Sequence, residues 1–160
     1  MKEKSYFSDI VCSLEKALYY ERGRGAYFRA TMVGTDFIER KRIEGNRAEE
    51  IIDNCIKVLV DSEMIQNATY LKDESGTFFN FEIKGCTHLP VEARLREEGV
   101  PAYICPPINM VLYKIGQLVN LAVEIADISV KESEGRCVVK VVVFEKEKPE
   151  NIGSPKTKER

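Results

Sequence analysis

Among the five cysteines and one histidine of this chain, Cys86, His88 and Cys105 are the residues best suited to act together. Cysteine thiolates and histidine imidazoles are ligand types of zinc. Cys86 and His88 stand two apart at what reads as a strand end, where alternate residues point to one side. The stretch 90–98 has the make-up of a short helix that can return the chain and bring Cys105 to them. Cys137 is the candidate fourth ligand if the two halves of the sheet adjoin. Three protein ligands plus water would make an open, catalytic-type shell, and a fourth protein ligand would close it as a structural site. The spacings match no standard zinc finger. Two other readings stay open. Free cysteines commonly fill core space. A Cys86 thiolate beside His88 would be a nucleophile if a neighbouring cation lowered its pKa. No third, orienting group completes a catalytic constellation, which favours binding over catalysis.

The totals bound what such a site can belong to. With 160 residues, 44% of them apolar, the chain is long enough for one domain with its own core. A net charge of −2 gives no global field able to capture nucleic acid. No apolar run reaches the ~20 residues that cross a bilayer. The first residues lack the apolar stretch of a secretory signal. A cytoplasmic chain with reduced thiols is the expectation, and the odd cysteine count agrees.

The elements that must position the site follow from periodicity. Phe7, Ile10, Val11, Leu14 and Leu18 recur at helical spacing and predict a first helix. Tyr27, Ala30, Thr31, Gly34, Phe37 and Ile38 predict a second. Asn46, with Glu49 three residues on, reads as the capping box of a third, whose stripe is Ile51, Ile52, Cys55, Val58 and Leu59. Alternation over 68–72 and 77–84, joined by Asp73-Glu74-Ser75-Gly76, predicts a β-hairpin. A short helix over 90–98 and a longer one opened by Pro106-Pro107 come next. A second hairpin, 122–131 with 136–145, turns at Ser133-Glu134-Gly135. The expected fold class is α+β: N-terminal helices and two hairpins forming a four-stranded antiparallel sheet covered by helices. One domain is expected over 1–146, with a charged tail over 147–160. Tyr19-Tyr20 and Tyr27-Phe28 suit either the core or a homodimer interface through the N-terminal helices.

From 81 to 144 the chain resembles the 4-vinyl reductase domain family. The resemblance rests on the strand Phe81-Glu82-Ile83-Lys84-Gly85-Cys86 ending in a cysteine, on Cys105 after a short helix, on Gly116 in an apolar helix, and on Cys137 near the start of the last strand. It implies a fold shared with vesicle-tethering subunits and haem-type gas sensors, with a hydrophobic pocket between helices and a twisted antiparallel sheet. Phe79, Phe81, Ile108, Leu112 and Tyr113 would line that pocket. The implied role is binding or sensing of a hydrophobic small molecule; zinc held by Cys86, His88, Cys105 and Cys137 is the cofactor that the residue types themselves suggest. The alternatives are a reductase of a vinyl-bearing tetrapyrrole-type substrate and a protein-assembly subunit.

Overall fold

Phe79, Phe81 and Ile83 alternate with Asn80 and Glu82, so a strand here must bury one side and wet the other. In the computed structural model, which describes residues 2–146, all three apolar residues of that set are about 1% exposed. They belong to β2 (Phe78–Lys84), which pairs antiparallel with β1 (Asn67–Lys72) and with β4 (Arg136–Glu145). β3 (Leu121–Lys131) pairs antiparallel with the far side of β4, so the sheet order is β1-β2-β4-β3. The two hairpins thus join through their second strands, with Phe81 opposite Val139 and Phe79 opposite Val141. The fold is α+β with a four-stranded antiparallel sheet. The strand bounds agree with the expected ones to within a residue. The expected tail over 147–160 lies outside the described residues.

Two helices cover the buried side of the sheet. α4 (Ala48–Asp61) brings Ile51, Ile52, Cys55 and Leu59, and α6 (Pro106–Leu118) brings Ile108, Val111 and Ile115, into one core with β2 and β4. Prolines at the start of α6 suit a first turn whose N–H groups have no helical partner. A second, smaller core is made by α1 (Lys2–Arg22), α2 (Ala26–Ala30), α5 (Leu89–Glu97) and the segment Val100–Ile104. Leu89, Val130 and Cys137 form a third cluster, with Cys86 and Ile128 packed against it. No described helix is long and apolar enough to cross a membrane.

Three local expectations are corrected. The second predicted helix is two short pieces, α2 and α3 (Thr35–Glu39), because Gly34 takes φ +94° between them. A side chain at Gly34 would also come within 2.7 Å of the Met110 side chain on α6, so only glycine lets the turn sit this close. The third helix begins at Ala48 after an extended Arg47, and the Asn46 side chain does not cap it. Instead the Glu50 carboxylate accepts the Asn46 backbone N–H at 3.0 Å. Most of the apolar stripe of α1 faces outward: Phe7, Ile10, Val11 and Leu14 are exposed, and the side docked on the protein carries Cys12 and Glu15.

Gly85 ends β2 and aims the chain at Cys86. Its φ is +61°, and its N–H donates to the Gly135 carbonyl at 3.0 Å. A Cβ there would lie 2.3 Å from the Gln66 side chain. Gly85→Ala is therefore expected to lower the unfolding free energy by about 1–2 kcal/mol, the cost of left-handed backbone for an L-residue. A denaturant midpoint equal to that of the parent chain would show that the turn relaxes freely.

Candidate metal centre and ligand groove

His88 immediately precedes α5, and Glu92 lies four residues on, one helical turn away on the same face. Glu15 arrives from the docked side of α1. His88 Nε2 lies 2.8 Å from Glu15 Oε1 and 2.9 Å from Glu92 Oε1. Glu15 is 5% exposed and Glu92 3%. The remaining oxygen of each carboxylate, Oε2, is buried and makes no hydrogen bond within the described structure. Two buried carboxylates thus face one imidazole, and even an imidazolium leaves one negative charge unbalanced. Burial alone would lower the His88 pKa, but its hydrogen bonds and charge interactions with Glu15 and Glu92 outweigh that and raise it to about 9. Burial lifts Glu92 above the ordinary carboxylate range, with His88 pulling the other way.

The group can hold a metal. One ligand atom from each of Glu15, His88 and Glu92 lies within 4.8 Å of the others, and orphaned buried oxygens are what a cation would satisfy. A divalent ion would also balance the two carboxylates. Nitrogen and oxygen donors of this kind suit zinc and other first-row divalent ions.

Of the four sequence-predicted ligands, only His88 belongs to this group; Cys86, Cys105 and Cys137 do not join it, because Glu15 and Glu92 already occupy the imidazole. Cys86, Cys105, Cys137, His88 and Glu92 line one small cavity of about 10 Å³, close to the room one water molecule needs. The His88 ring nitrogen that carries the close contacts is engaged by carboxylates. The three thiols are held protonated: burial pushes Cys105 well above its ordinary value, lifts Cys137 to about 11, and raises Cys86. The charge of Glu92 acts in the same direction on all three. Without a metal to displace the proton, none is poised as a thiolate.

Glu15 and Glu92 were not visible as site residues in the sequence. For Glu92 a signal existed, the four-residue spacing from His88 on one helix. For Glu15 there was none, because it comes from a helix over seventy residues away, and only the docking of α1 on α5 delivers it.

The second feature is a groove of about 1200 Å³ between α2, α6, the chain before α6, and the edge strand β3. Its walls include Tyr27, Met32, Tyr103, Leu112, Ile125 and Ile128. Polar groups are interspersed, among them Thr31, Thr35, Arg96 and Asp127. β3 is irregular here, with a register shift between Ile125 and Asp127 that bends the edge strand where it borders the groove. Of the residues expected in a pocket, Leu112 and Tyr113 line this groove. Phe79, Phe81 and Ile108 instead lie in the main core, because α4 and α6 close directly over β2.

Tyr103 connects the two features. It borders the groove, its hydroxyl donates to the Glu15 backbone carbonyl at 2.6 Å, and its ring packs on Tyr19 and Tyr27 with centroids 5.6 and 5.7 Å away. Burial, followed by the charges of Glu15 and Glu92, holds its phenol far above the usual range, so it remains a donor. Compared with known proteins, the chain matches no family model and no curated protein.

Proposed function

We propose that this is a cytoplasmic small-molecule-binding or sensing protein that takes a hydrophobic ligand into the groove bordered by α6 and β3. The observation that carries this reading is the groove itself. A groove of about 1200 Å³, lined by apolar and aromatic side chains with polar and charged ones interspersed, has room for a small amphipathic or apolar molecule. The reading agrees with what the resemblance to the 4-vinyl reductase domain family implies. Thiolate chemistry is disfavoured, because burial raises the pKa of Cys86, Cys105 and Cys137. Zinc is the metal we assign to Glu15, His88 and Glu92, on the donor set and the two orphaned oxygens. When bound, it would supply charge balance inside the second core, next to the wall that Tyr103 provides.

Native mass spectrometry of protein purified without added ligand, followed by displacement of a fluorescent apolar dye with fatty acids and polycyclic hydrocarbons, tests the assignment. Leu112→Arg puts a charge into the apolar wall and is expected to weaken dye binding by about tenfold or more. Equal dye binding by Leu112→Arg and the parent chain would move the ligand site elsewhere.

A further inference from the structure

The outer side of α1 is the largest feature that neither the groove nor the metal centre uses. Between residues 6 and 20 this helix carries three charged residues, Asp9, Glu15 and Lys16. All three are paired on the docked side: Asp9 with Arg94, Glu15 with His88, and Lys16 with Glu98 at 2.6 Å. The opposite arc is left with no charge. It presents Tyr6 at 63%, Phe7 at 64%, Leu14 at 65% and Tyr20 at 67% exposure, with Ile10 and Val11 each more than a third exposed. At 1.5 Å per residue the bare stripe runs for about 20 Å. Phe7, Ile10 or Val11, and Leu14 follow the three-to-four spacing of a helix–helix seam.

From this arrangement we infer that the outer arc of α1 is the interface by which two copies of the chain associate. Soluble monomers rarely leave more than a few hundred Å² of continuous apolar surface bare. Large side chains carry roughly 150–250 Å² each, so these six bare about 600–700 Å² per copy. That approaches the ~800 Å² per partner of a stable interface. The absence of charge selects the partner. A neutral patch can face its own image without setting like charges together, as a two-fold dimer requires. Tyrosine and phenylalanine are also enriched in interface cores. The chain's own segment 147–160 is chemically unsuited to cover the stripe, since Ile152 is its one large apolar residue among prolines and charges. Self-association through this arc is independent of whether the groove binds a ligand. It shares α1 with the metal centre, so the helix that delivers Glu15 inward meets the second copy outward.

Sedimentation velocity on the full chain, from low to high micromolar concentration, tests the inference. The expected result is a concentration-dependent dimer. Leu14→Asp should raise its dissociation constant about thirtyfold or more, the size of a hot-spot loss. Phe7→Ser on the same arc should weaken it as well, and both variants should melt like the parent under conditions where all are monomeric. Leu71→Asp, an equally exposed apolar position on β1, should leave the dimer intact. A chain that stays monomeric throughout overturns the inference, whether it instead pellets with phospholipid vesicles or dimerises only after removal of 147–160. So does a dimer indifferent to both α1 substitutions.

Discussion

His88→Ala is expected to lower the unfolding free energy by about 3–5 kcal/mol at neutral pH, the cost of removing one partner from a buried charged group. The reason is geometric. Glu15 and Glu92 are almost wholly buried, and the imidazole is the hydrogen-bond partner of both Oε1 atoms. Without it, two buried carboxylates face each other with no cation between them, and Glu92, already raised by burial, takes up a proton more readily. The destabilisation should therefore shrink in acid, where protonation relieves the repulsion.

The pH dependence of the parent chain, measured with a chelator present, has a defined sign. The folded-state pKa of His88 is raised from 6.5 to about 9, so folding binds a proton that the unfolded chain releases. This contribution is complete below pH 6.5 and is lost as pH rises through about 9. Burial lifts Glu92 as well, and a raised carboxylate also makes stability fall with rising pH, starting above the ordinary carboxylate range. Melting temperatures from pH 6 to 9 in the parent and in His88→Ala would read this directly, and parallel curves would show that His88 is not the titrating group. Zinc added to chelator-treated protein should raise the melting temperature of the parent and not of His88→Ala. An equal rise in both would place the metal elsewhere.

Phe81→Ala is expected to cost a similar amount, about 3–5 kcal/mol, for a different reason. Phe81 is 1% exposed at the centre of β2, opposite Val139, with its ring 5.6 Å from Tyr70 and 6.2 Å from Phe79. Truncation removes a large apolar side chain and leaves a void that α4 and α6, tied to many other residues, cannot close. Phe144→Ala, at a half-exposed aromatic position on the neighbouring strand, should cost far less. Pocket lining, which the resemblance implies for Phe81, and core packing, which the structure shows, are separable by this variant. If Phe81 belongs to the core alone, dye binding in the groove survives at temperatures where the variant is folded. If dye binding is lost while the fold persists, the ligand reaches past the groove into the sheet.

Much of the fold is a local matter, and therefore legible in the chain. Alternation in Phe79, Phe81 and Ile83, and Val/Ile-rich runs set off by turn residues in the second hairpin, placed the four strands to within a residue. Pro106-Pro107 marked the start of α6 because proline is compatible with a first turn and little else in a helix. That Cys86, His88, Cys105 and Cys137 border one small cavity was readable from a strand end and a short returning helix, but the ligand group that forms takes only His88 from that set. Other features depend on how whole elements dock. Periodicity shows that α1 has an apolar stripe, but not which side of a helix turns inward. In the folded chain Cys12, Leu18 and Tyr19 turn into the second core, and Asp9, Glu15 and Lys16 pair with α5 and its end on that same side. The same docking brought Glu15 to His88. Whether Phe81 and Ile108 line a pocket or fill a core depended on how closely α4 and α6 approach β2. Residue type and spacing set what a segment can bury. Which surfaces meet is a property of the assembled chain, where long-range contacts compete, and only the tertiary structure expresses that outcome.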